Sequence, residues 1–149
     1  MIILPVEGVL APLDCLDALK GMPPSPEGQS LYSLLIATGD PVVLLSAQRS
    51  RQEVEDWLAL EGFTRWVQLH HRGVSALGWS EYRISVLREQ LAIGRKFKFY
   101  IDSDPGMIKA VTDMGVPSLL VVEPGRRVGR ISPSEQSYQS WDTLVNTIE

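Results

Sequence analysis

The sequence holds a single cysteine, Cys15, so no internal disulfide can form and nothing points to an oxidising compartment. Cys15 reads as a small apolar core residue. A basic excess is missing too: the net charge is −4 and the pI is near 5.2. That leaves no electrostatic footprint for a nucleic-acid backbone or an anionic membrane. No apolar run is long enough to span a bilayer, and the first residues lack the basic start, apolar segment and small-residue cleavage site of a signal peptide. A cytoplasmic location is the expectation. Repeats and low-complexity segments are also absent. What remains is ordinary: 44% hydrophobic and 21% charged residues, which argues against disorder or a coiled coil and fits one domain over residues 1–149.

Short apolar segments alternate with amphipathic ones. Ile2 to Val6 is β-branched, apolar and stopped by Gly8, the pattern of a buried strand. The Pro- and Gly-rich stretch from Gly21 to Ser30 reads as a loop. A helix follows, with Leu31, Leu34, Leu35 and Thr38 on one face and Gly39 as its stop. Val42 to Leu45 is a second strand, ending at Ser46. Ser50 and Glu53 are spaced as a capping box before a helix carrying Val54, Trp57, Leu58 and Glu61. Arg65 to His70 is a weaker strand candidate. His70 and His71, being adjacent, would point to opposite faces of a strand and read as solvent-exposed rather than as joint metal ligands.

Ile84, Leu87 and Leu91, with Val86 beside them, predict another helix, ending at Gly94. Phe99 to Ile101 is a strand, Asp104 and Pro105 mark a helix start that runs to Gly115, and Leu119 to Val122 is a further buried strand. Trp141, Leu144, Val145 and Ile148 share one face of a short final helix that would dock on the core. Strand and helix in alternation predict an α/β protein, a three-layer, doubly wound and mostly parallel sheet. Ligands in such sheets bind at the carboxyl ends of the strands, where Glu7, Ser46, Asp102 and Asp104 fall.

Three segments carry a resemblance. "IILPVEGVLAPLD" is similar to the first motif of the haloacid dehalogenase superfamily, in which an aspartate, any residue, a second aspartate, a glycine and a threonine or valine end the first strand. "VVLLSAQRS" is similar to its second motif, an apolar strand ending in a hydroxyl residue, and "FYIDSDPGMIKAVTDMG" resembles its fourth, in which acidic residues end a strand just before a helix. The resemblance spans nearly the whole chain in the right order. It implies a Rossmann-like hydrolase fold without a sizeable cap domain. In that family the first aspartate attacks phosphorus, the second serves as acid and base, a hydroxyl and a lysine hold the phosphoryl group, and acidic residues hold Mg²⁺.

Carried over by position, the resemblance puts Glu7 in the acid/base place and makes Ser46 and Arg83 the phosphate-binding residues. Glu7, Asp102 and Asp104 become the metal ligands. Arg83 stands where the lysine is expected, with Lys96 and Lys98 as alternatives. Pro5 occupies the nucleophile's place and has no side-chain oxygen, a loss worth on the order of a million-fold in rate. The implied function is therefore a phosphatase-like pseudoenzyme that binds or regulates, with any Mg²⁺ held weakly. Two alternatives stay open: an active Mg²⁺-dependent phosphohydrolase using Glu7 or a metal-bound water, and an interaction module presenting exposed aromatics such as Trp66 and Trp79. A phosphate-bearing ligand or a protein is the expected partner; nucleic acid and membrane are not.

Overall fold

The computed structural model describes residues 1–13 and 18–122. Cys15 and the expected final helix at 141–148 lie outside the described residues. Among the described residues five strands, β1 (Ile2–Pro5), β2 (Val42–Ser46), β3 (Gln68–His71), β4 (Phe99–Asp102) and β5 (Ser118–Leu120), form one sheet in the order β3-β2-β1-β4-β5. Every pairing is parallel. Four helices connect them: α1 (Pro26–Ala37), α2 (Arg51–Leu60), α3 (Trp79–Ala92) and α4 (Pro105–Asp113). The chain is thus a three-layer α/β protein of Rossmann-like type, wholly rather than mostly parallel among the described residues.

Strand alternation divides the core in two. Ile2, Leu4, Val42, Leu44 and Ile101 pack with α1 and α2 through Tyr32, Leu35, Val54, Trp57 and Leu58. Ile3, Val43, Leu45 and Tyr100 pack on the other face with Val86 and Leu87 of α3 and Met107 and Val111 of α4. Successive strand residues point to opposite faces, and burying both makes the strands read as continuous apolar runs. β1, at the centre, is buried at every residue.

Several sequence expectations need correction. α1 starts inside the stretch expected to be a loop, because Ser25 Oγ caps Gly28 N–H at 3.2 Å and Pro26 opens the first turn. Its inward face is Gly28, Tyr32 and Leu35, while Leu34 is 64% exposed. Gly28 sets that face: a Cβ there would lie 2.5 Å from the Val9 carbonyl, so only glycine lets the helix approach the 9–10 backbone. Among the described residues β5 is an edge strand, paired with β4 alone, and Leu119 and Leu120 are about half exposed rather than buried.

His70 and His71 close β3 as half-buried residues, each with one buried ring nitrogen that has no partner, rather than as exposed ones. Trp66 and Trp79 are half-buried against the two cores rather than exposed. No helix among the described residues is long and apolar enough to cross a membrane.

Candidate active site

The topology brings the expected residues to one edge of the sheet. Ser46 and Asp102 are the last residues of β2 and β4, and Glu7 follows the end of β1 between them. A tight turn holds Glu7 there: the Val6 carbonyl accepts from Leu10 and Ala11 N–H, both at 2.9 Å, and Gly8 N–H donates to Ala11 O at 2.8 Å. Gly8 has φ +95°, a conformation strained for any side chain, and a Cβ would meet Ser103 Oγ at 3.1 Å. Pro5 closes β1 opposite Leu45. The ladder to β4 stops at Ile3 with Tyr100, and Pro5 has no N–H with which to extend it.

The residues settle into two clusters. In the first, Glu7 is buried and its carboxylate accepts from Ser46 Oγ at 2.8 Å, from Ala47 N–H at 2.8 Å and from Gln48 Nε2 at 3.3 Å. Burial raises the Glu7 carboxyl above its ordinary range, and these donors work against the rise.

In the second cluster Arg83, 3% exposed, is no surface residue. Its Nη1 donates to Asp102 Oδ2 at 2.5 Å, and its Nη2 reaches Asp104 Oδ2 at 3.3 Å and Ser80 Oγ at 3.1 Å. Its guanidinium also lies 4.8 Å from the Trp79 ring centre. Asp102 accepts further from the Tyr100 hydroxyl, from Ser103 N–H at 2.7 Å and from Asp104 N–H at 3.2 Å. Burial pushes Asp102 up, with Arg83 pulling it back; Tyr100 is raised by burial and by the adjacent Asp102. Asp104 caps α4 through Gly106 N–H at 2.9 Å and Met107 N–H at 3.4 Å.

Glu7 and Ser46 thus meet, and Arg83, Asp102 and Asp104 meet, but no three His, Cys, Asp or Glu side chains among the described residues gather as a metal-holding group. Of the alternative cations, Lys98 pairs with Asp40 at 3.1 Å, away from this edge. An open cleft of about 440 Å³ lies over the second cluster, lined by Leu13, Trp79, Arg83, Ser103, Asp104 and Pro105. A larger one, about 510 Å³, runs along α2 past Trp57 and holds none of the candidate residues.

Sequence reasoning missed Ala47, Gln48, Ser80 and Tyr100. Tyr100 carried a signal, since residues two apart on a strand share a face and Asp102 follows it at that spacing. Ser80 and Trp79 precede Arg83 by three and four residues, the spacing at which helix side chains meet. The Ala47 amide and the Gln48 side chain lie in irregular chain after β2 and carried none.

No family model and no curated protein matches the sequence. A chain of the solved structure "Structure of the Pnkp1/Rnl/Hen1 RNA repair complex" superposes with a TM-score of 0.68 at 16% identity. The match covers 84% of this chain and 43% of that one, so the present chain spans less than half its length. At that identity the likeness establishes the fold alone.

Proposed function

We propose that this chain is a haloacid-dehalogenase-like protein whose phosphatase site is disabled, and that it serves as a binding or regulatory protein. The observation that carries the reading is the buried pair of Arg83 with Asp102, at 2.5 Å with side chains 4% and 2% exposed. Catalysis of phosphoryl transfer by such a site needs a free cation for the phosphoryl oxygens and free carboxylates for the metal. Here the cation and the carboxylate satisfy each other, and Asp104 leans on the same guanidinium. Pro5 adds the second deficit, a nucleophile's position with no nucleophile.

The donor set does not fit a tightly held Mg²⁺. A hard dication takes about six oxygens, whereas Arg83 spans the two aspartates and the Glu7 carboxylate is spent on three hydrogen-bond donors. Any Mg²⁺ would therefore bind weakly, and no chemical step is assigned to it. The cleft over Trp79 and Arg83 is the place for a ligand, because it pairs an aromatic wall with polar groups. A role on RNA has no support from a net charge of −4.

Turnover tests the reading. With small phosphomonoesters and Mg²⁺ the wild-type chain should show none above background, and Pro5→Asp with Glu7→Asp should gain slow turnover that disappears on adding Asp102→Asn. Wild-type hydrolysis that is lost in Glu7→Gln would overturn the pseudoenzyme reading.

A further inference from the structure

Three donors converge on Glu7, and no basic side chain among the described residues forms an ion pair with it. One oxygen takes the Ala47 N–H; the other takes the Ser46 hydroxyl and the Gln48 amide. The hydroxyl's direction is fixed from behind, because Gln48 N–H donates to Ser46 Oγ at 3.2 Å and leaves its proton for the carboxylate. Ser46, Gln48 and Glu7 are all at least 98% buried. Convergent, buried donors around one anion are what an oxyanion-binding site consists of.

We infer that Ser46 Oγ, Ala47 N–H and Gln48 Nε2 form an oxyanion seat whose resident ligand is the protein's own Glu7 carboxylate, an autoinhibitory contact. The seat accepts a free carboxylate or phosphate once Glu7 is taken away. The inference rests on reading this strand end as the old phosphate site and adds how that site is closed. Glu7 is held in place by the turn that Gly8 permits, so the internal ligand is pre-positioned and a free anion at ordinary concentration competes poorly.

Acetate is the matched probe: alanine plus acetate restores the atoms that a glutamate side chain places in the seat. In the full chain, thermal unfolding of Glu7→Ala should shift up by about 3 °C or more in acetate at tenfold its half-saturating concentration, compared with chloride at equal ionic strength. Inorganic phosphate is the second arm, and a shift in either anion supports the seat. Wild type and Glu7→Gln should not shift, and Glu7→Ala with Ser46→Ala should lose the shift. No shift in either anion overturns the inference, as does an equal shift in wild type.

Should Glu7→Ala stay unfolded in every salt, a double-mutant cycle of Glu7→Asp with Ser46→Ala decides. Non-additive stability losses support the seat and additive ones refute it. The outcome is separate from the turnover test, because the seat can bind anions whether or not Pro5→Asp restores catalysis.

Discussion

Arg83→Met is the most informative single perturbation of the site. Methionine keeps most of the side chain's length and apolar contact with Trp79 while removing the charge. It leaves Asp102, with a side chain 2% exposed, facing the Tyr100 hydroxyl and two backbone N–H groups but no cation. Breaking a buried pair from one side costs about 3 to 5 kcal/mol. For a chain of this size that is a fall in Tm of about 10 °C. The deficit should depend on pH in a defined direction. Burial already raises the Asp102 carboxyl and Arg83 is the main opposing influence, so its removal sends the folded value further above the unfolded one.

A carboxyl in that state is favoured while protonated: its contribution is intact below the unfolded pKa and lost as pH rises through the folded pKa. The loss relative to wild type should therefore be larger at pH 8 than at pH 5. Adding Asp102→Asn should recover about half of it at pH 8, because asparagine keeps an acceptor for Ser103 and Asp104 N–H and carries no charge. Urea unfolding of the three chains measures all of this. A single-variant loss under about 1 kcal/mol at pH 8, or a double variant no better than the single, would refute the view that Arg83 neutralises Asp102.

Gly28→Ala should destabilise by about 3 kcal/mol or more, although the same change in an open helix gains about 1 kcal/mol, because the new methyl would meet the Val9 carbonyl at 2.5 Å and Leu10 Cα at 2.8 Å; urea midpoints give the sign. Glu7, raised by burial, should make wild-type stability decline as pH rises from the ordinary glutamate value of about 4.5 through its elevated folded pKa, and the difference between wild type and Glu7→Gln should shrink over that window. A flat difference would mean that the carboxyl titrates as if exposed.

The fold was legible because the strands carry their own signal. Val42 to Leu45 and Tyr100 to Ile101 are apolar on both faces, which only a covered parallel sheet demands. The strand ends then named Glu7, Ser46 and Asp102 without any tertiary information. Their pairing was not legible. That Glu7 turns to Ser46 while Arg83 turns to Asp102 depends on the turn at Val6 to Ala11 and on how α3 packs, and neither is a local property of sequence. The α1 face was misjudged for a related reason: apolar periodicity favoured Leu34, whereas the close approach at Gly28 decides the rotation. Edge status misled at Leu119 and Leu120, since an apolar run says nothing about whether a strand has neighbours on both sides.

The central place of β1 has a consequence for how the chain acquires its structure. Ile2 pairs with Val42 on one side and with Phe99 on the other, the second partner lying more than twice as far along the sequence. During synthesis β1 can join β2 and β3 early, but its other edge waits until β4 emerges. In that interval a strand that is buried at every residue in the finished fold presents unpaired N–H and C=O groups to whatever is nearby. Closing the long loop to β4 carries the larger entropic cost and should set the folding rate. Nascent chains halted before Phe99 should therefore be the species that aggregate or recruit chaperones, and the pairing of β1 with β4 the event that ends that vulnerability.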